Sequence, residues 1–349
     1  MRIAIGIGGP ALAGRDEWRM MEEFVIEAER LGVDSCWSAE AWGQDAIAPL
    51  AYVAARTTTI RIGTGVAQIS ARAAATTAMT AMTLATISGD RFSLGLGVSG
   101  PQVVEGLHGV PFDKPLTRLD EYLDILELAF SGRPLDYHGT VMSLPIRGSS
   151  GPAMSLAGAA ASPIPVYLAA LGPKALELTG ARADGWLASG FIPEASAAFL
   201  DPIRRGAEAA GRDFGAIDLQ AGGPVAFGDD LDHLLHGVKR TIAFRVGAMG
   251  SPQQNFYKQA YERAGYVDEV NRIQSLWLDG RRREAVDAVT DDIARSTSFV
   301  GTDEQVTARI RAFRAAGITT LWPEFEEPTS VEKITTLARF VDLVRAVDA

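Results

Sequence analysis

Residues Arg91–Gly106 read RFSLGLGVSGPQVVEG, and Gly95, Gly97 and Gly100 within them spell G-x-G-x-x-G behind a short apolar run. In a dinucleotide-binding βαβ unit such a turn feeds straight into a crossover helix whose N-terminus holds the pyrophosphate, and an acidic residue about twenty positions on holds the ribose. Asp120 has that spacing. The helix is missing, because Pro101, Gly106, Gly109 and Pro111 leave at most a turn or two before the chain turns again. The stretch also falls fourth in a series of strand-like runs. Gly95 and Gly97 are therefore read as tight-packing residues of a barrel strand. Val98–Gly100 becomes backbone exposed at that strand's C-terminal mouth, where barrel enzymes bind ligands.

Apolar runs at 2–7, 35–40, 60–66, 92–98, 165–170, 185–190, 218–227 and 319–325 alternate with amphipathic segments. Eight strands with helices between most of them predict an α/β fold, a (β/α)8 barrel. In DEWRMMEEFVIEAERLG the residues Trp18, Met21, Phe24, Val25, Ala28 and Leu31 share one face, and Gly32 stops the helix. Helices are also expected at 46–56, 74–88, 116–130 and 331–347. The whole chain, 1–349, is read as one barrel domain with insertions at about 131–162 and 247–298. Both exceed a simple crossover, and insertions on barrel loops commonly carry substrate lids. The Ala- and Gly-rich SSGPAMSLAGAAASP in the first predicts a mobile apolar lid, and with it a neutral or hydrophobic substrate.

Composition narrows the function classes. The chain carries a formal net charge of -10 with its 33 basic residues scattered, which argues against a nucleic-acid surface. A single cysteine, Cys36, excludes disulfides within the chain and cysteine-built zinc sites, and its apolar surroundings predict a buried thiol. His233 and His236 sit three apart without a carboxylate cluster, so no metal site is expected and a metal-dependent hydrolase is disfavoured. Ala11-Leu12-Ala13 resembles a signal-peptidase site, but Gly6, Gly8, Gly9 and Pro10 break any apolar helix before it. RIAIGI is better read as a buried strand, and no apolar run reaches the ~18 residues that span a bilayer. A cytoplasmic enzyme without a membrane partner is the expectation.

Four stretches together resemble the bacterial luciferase-like superfamily, in its branch that uses the deazaflavin coenzyme F420. They are SAEAWGQDAIAPLAYVAARTTTIRIGTGVAQISAR, SGDRFSLGLGVSGPQVVEGLHGVPF, PIPVYLAALGPKALELTGARADGWL and FVGTDEQV. Their order and spacing span nearly the whole chain. The resemblance implies a (β/α)8 barrel with the cofactor ring across its C-terminal mouth, and a homodimer. By position, Gly65 and Val66 match a bulge with a non-proline cis peptide that props the back of the ring in relatives. Ala169, Ala170, Leu171, Gly172 and Lys174 match the segment that holds the cofactor phosphate. Pro173 suits the first turn of a helix there, with free N–H groups near Gly172. Ser189 and Gly190 match positions that complete this pocket; Ser99, Gly100 and Pro101 match positions near the ribityl chain. Arg72 either assists at the phosphate or is a surface arginine.

Glu40 ends the second strand at the catalytic face and is the side chain expected to pass a proton to or from substrate; the alternative is a helix cap or a pair with an arginine. Asp45 is read as the cap of the helix beginning at Ala46. Trp37 reads as core, and Trp42, His108 and Phe112 as candidate pocket walls. Relatives that oxidise sugar phosphates carry a histidine at the position of Glu40 and a glutamate at that of Pro101, so that substrate class is disfavoured. The acid on the first strand of methanopterin reductases has no match in Ile3–Gly8. The leading expectation is an F420-dependent oxidoreductase that moves a hydride to or from a small organic substrate. The alternatives are an FMN-dependent monooxygenase of the same superfamily and a barrel that only binds a flavin.

Overall fold

The computed structural model of the chain describes residues 1–7, 14–40, 43–250 and 255–348. Trp42 and Gly8–Ala13 of the sequence reading lie outside the described residues. Eight strands form a closed parallel barrel: β1 (Arg2–Ile7), β2 (Ser35–Ser38), β3 (Arg61–Thr64), β4 (Phe92–Gly97), β5 (Val166–Leu168), β6 (Gly185–Leu187), β7 (Asp218–Phe227) and β8 (Thr320–Glu324). They pair in chain order, and β8 closes on β1. Each lies within one of the eight apolar runs. Helices cover the outside, their apolar stripes packing on the outward strand residues such as Cys36, Ile62 and Leu94. Cys36 is fully buried, and that burial pushes its thiol pKa up.

The inward residues stack in layers. At the floor Asp218 accepts hydrogen bonds from Arg2, Tyr167, Gln220, Thr319 and Thr320. Burial alone would raise the Asp218 carboxyl, but the bonds from Thr319, Gln220 and Thr320 and the charge of Arg2 outweigh it and hold the pKa low. Above the floor Trp37 meets Tyr167 edge-on at 4.9 Å and stacks on Trp322 at 5.9 Å. These rings fit because the facing positions are glycine: a Cβ on Gly63 would stand 2.4 Å from Trp37, and one on Gly65 2.8 Å from Trp322.

The glycine motif behaves as a strand end. A Cβ on Gly95 would stand 1.9 Å from the Thr64 carbonyl oxygen, and the helix after Gly100 runs only from Pro101 to Gly106. Asp120, the acid that a dinucleotide fold would need at the ribose, instead bonds Arg182 on the outside.

The two long insertions sit at opposite ends of the barrel. Residues 131–162 leave the Pro115–Phe130 helix at its C-terminal end and return to the start of β5, at the end of the barrel away from the mouth. Their hairpin, Tyr137–His138 with Ser143–Leu144, is pinned to the outside of that helix. The buried Glu121 carboxylate accepts from the backbone N–H groups of Thr140 (2.6 Å), Val141 (3.0 Å) and Met142 (2.7 Å). The expectation of a lid over the substrate is therefore corrected: an αβ connection in a parallel barrel emerges at the wrong end to cover the mouth.

The other excursion follows β7 and does stand over the mouth. It starts earlier than the 247–298 read from the sequence, with the Leu231–Ala248 helix, and continues through short helices to Asp291–Ser296. Its return strand, Phe299–Gly301, pairs with the upper end of β7. Leu235, Val238, Ile242, Val246, Tyr261 and Ile273 build a small core of its own. His233 and His236 lie exposed on the first of these helices.

Candidate active site at the barrel mouth

The ends of β3, β4, β5 and β6 form a continuous arc. Beyond β3 the Gly65-Val66 peptide is cis, and Ala67–Gln68 runs beside the upper end of β4. A Cβ on Gly97 would sit 2.7 Å from Val66 Cγ2 and 3.9 Å from the Ala169 methyl, so Val66, Gly97 and Ala169 meet in one apolar platform. Ser99 follows with φ +59°, a left-handed conformation unusual for a serine, and turns the chain into Gly100 and Pro101. Next to the platform, Ala170 is braced by the Trp186 indole N–H, which donates to its carbonyl at 2.9 Å.

Leu171 and Gly172 continue the arc beyond β5. Gly172 precedes the Pro173–Arg182 helix without a side-chain cap, and a Cβ there would meet nothing within 4 Å. The first-turn N–H groups are free of a side-chain acceptor. Gly190, at φ +69°, ends the arc beyond β6 with Ser189 before it.

The remaining predicted residues divide. Lys174 lies exposed in a groove between the outer helices, among Asp120, Glu177 and Arg205. Glu40 stands at the mouth, but both carboxylate oxygens are engaged: Arg72 donates to one at 2.7 Å and the Gln68 N–H to the other at 3.0 Å. Gln68 also donates from its amide to the Glu40 carbonyl, and the Glu40 N–H donates to the Val66 carbonyl. Glu40 thus makes the arginine pair that was one alternative read for it, and Arg72 is its partner. Asp45 accepts from the N–H groups of Ile47 and Ala48, as read from the sequence. Trp37 is core. His108 stays in the loop after the short helix, its Nε2 buried and without a hydrogen-bond partner among the described residues.

The excursion over the mouth, here called the cap, adds residues that the sequence did not single out. Arg263 donates to the Leu171 carbonyl, placing a guanidinium on the Leu171-Gly172 loop, for which Lys174 was the cation expected from the sequence. Tyr261 stands beside Gly190, its hydroxyl 3.2 Å from where a Gly190 Cβ would be, and that hydroxyl is buried. Burial pushes that phenol up to about 12, so it is neutral and able to donate. Arg245 reaches Glu324 at the end of β8.

The family model for luciferase-like monooxygenases matches residues 2–320. The chain belongs to the luciferase-like monooxygenase family. It is 35% identical over 333 residues, covering 91% of the chain and 93% of the relative, to a Mycobacterium tuberculosis protein, Rv3520c, provisionally described as a coenzyme F420-dependent oxidoreductase. To the 5,10-methylenetetrahydromethanopterin reductase of Archaeoglobus fulgidus it is 28% identical, over 86% of the chain and 87% of that protein. The coenzyme F420-dependent tetrahydromethanopterin reductase of Methanopyrus kandleri has the same fold, with a TM-score of 0.78 at 23% identity over 99% of this chain and 98% of that one. The luciferase-like barrel read from the sequence is thus the fold of the molecule.

Proposed function

We propose that this luciferase-like chain is an F420-dependent oxidoreductase that transfers a hydride between the deazaflavin and a small, neutral or hydrophobic organic substrate. The arc from Val66 to Gly190 carries the reading: an apolar platform of Val66, Gly97 and Ala169 leads to an uncapped helix start at Gly172, and free N–H groups at a helix start suit a phosphate. The similarity to the Mycobacterium tuberculosis relative supports F420 as the occupant. Gly65, Val66 and Ala169 would back the ring, Ser99, Gly100 and Pro101 flank the ribityl chain, and Ala170, Leu171, Gly172, Ser189 and Gly190 line the phosphate end. Arg263 and Tyr261 supply the cation and the donor that this end requires.

Bound there, F420 supplies the ring carbon that gives or takes the hydride. The chain's own residues orient it and exclude water. Glu40 serves this as a positioning residue: through Gln68, Arg72 and the Val66 carbonyl it fixes the bulge behind the ring. Mixing the protein with oxidised F420 and a panel of alcohols without oxygen tests the reading. Bleaching of the deazaflavin absorption is the expected result, and turnover that needs FMN and oxygen overturns it.

We further propose a cytoplasmic homodimer. The Ala74–Ser88 helix carries no charged residue and exposes Met79 and Ile87. Among the described residues, no helix is long and apolar enough to cross a membrane.

A further inference from the structure

The half of the mouth opposite the cofactor arc is lined from β8. Residues two apart on a strand point to the same side, so Thr320, Trp322 and Glu324 rise along one face of β8. Thr320 bonds Asp218 at the floor and Trp322 stacks on Trp37 inside the barrel, which puts Glu324 on the interior side at the rim. Over it the cap brings Arg245, whose Nη2 lies 3.4 Å from Glu324 Oε1, a long contact that leaves further N–H donors on Arg245 and a second acceptor oxygen on Glu324. Arg245 lies near Tyr257 and Tyr261, and 23% of its side chain is accessible, against 42% for Glu324. Both charged heads therefore keep a face open at the rim.

From this pairing we infer that Arg245 and Glu324 form the substrate's polar contact, and that they select a neutral oxygen-bearing group, a hydroxyl or the carbonyl it interconverts with. The inference rests on the mouth being the reaction site, as proposed above, and names its substrate class. The two formal charges cancel, so the pair offers no net attraction to an ion. It offers instead one donor and one acceptor side by side. A hydroxyl matches both, its O–H donating to the Glu324 carboxylate and its oxygen accepting from Arg245; a carbonyl accepts from Arg245 alone. A carboxylate would take Arg245 only by displacing or facing Glu324, an uncompensated like charge. Trp322, with Gly6 close to its indole nitrogen, supplies a flat apolar wall directly beneath the pair.

Quenching of tryptophan fluorescence by benzyl alcohol and by benzoate tests this, with Trp322→Phe identifying the signal from the mouth. The wild type is expected to bind benzyl alcohol and to reject benzoate. Arg245→Met weakens benzyl alcohol about tenfold, and Glu324→Gln, by freeing Arg245, tightens benzoate about tenfold. Failure of the wild type to bind benzyl alcohol, preference for benzoate, or equal affinities in both variants overturns the inference. If Glu324→Gln does not fold, Arg245→Lys reads the same contact while keeping the charge. F420 titration of the same proteins separates the two readings: a wild type that discriminates the probes but does not bind F420 contradicts the cofactor assignment and leaves the polar pair standing.

Discussion

Val66 and Gly97 touch across two neighbouring strand ends: the valine Cγ2 occupies the space that any side chain at Gly97 would need, 2.7 Å from its Cβ. Gly97→Ala must therefore push the platform out of shape or leave the methyl overpacked, which costs about 1–3 kcal/mol. F420 affinity should fall about tenfold or more while circular dichroism stays that of a folded barrel. Unchanged affinity would separate the platform from the cofactor.

Glu40→Gln tests whether this glutamate positions or transfers protons. Removing the charge leaves Arg72 half-buried with only the distant Asp45, 3.8 Å away. A loss of about 2 kcal/mol of stability is expected, with weaker F420 binding. The pH profile of turnover should keep its shape. A profile that loses one limb would return Glu40 to the proton-transfer role.

Three buried phenols predict how the fold fails in alkali. Tyr122, Tyr167 and Tyr261 are each pushed up to about 12, chiefly by burial. In the unfolded chain they ionise near 10, so between about 10 and 12 the unfolded state releases protons that the native state retains. Stability is fully present below about 10 and falls as pH rises through this window. Tyrosinate absorbance from these three should appear together with unfolding; ionisation of all seven tyrosines in a still-folded protein would contradict it.

Glu121→Ala should release the 137–144 hairpin by removing the acceptor of three backbone N–H groups, at a cost of about 2 kcal/mol. Limited proteolysis should then cut within that hairpin. Because the hairpin lies outside the barrel and away from the mouth, F420 affinity should not change; a large loss would restore the lid.

For the dimer, Met79→Glu places a charge on the uncharged face of the Ala74–Ser88 helix. Light scattering should report a dimer for the wild type and a monomer for the variant. A monomeric wild type removes the proposal.

The barrel was legible because its signals are local. Alternating runs gave the strands, and the prolines and glycines after Gly100 ruled out a crossover helix there. Contacts between distant segments were less legible. Periodicity marks which face of a cap helix is buried without saying which strand end it meets, so Tyr261, Arg263 and Arg245 went unnoticed. Glu324 did carry a signal, its two-residue spacing from Trp322 in TTLWPEF. Lys174 misled because a cation in a first helical turn resembles an anion ligand, whereas its side chain follows the outer face. The first insertion misled because loop composition says nothing about which end of a barrel the loop leaves from.

In the proposed function the arc from Val66 to Gly190 holds a deazaflavin. Titrating the apoprotein with oxidised F420 and separately with FMN, followed by fluorescence at low salt, measures it directly. Tight binding of F420 with weak binding of FMN, and a loss of F420 affinity in Arg263→Ala and Tyr261→Phe, is the predicted result. Tight FMN binding with weak F420 binding would contradict the account and make this chain an oxygen-using flavin enzyme.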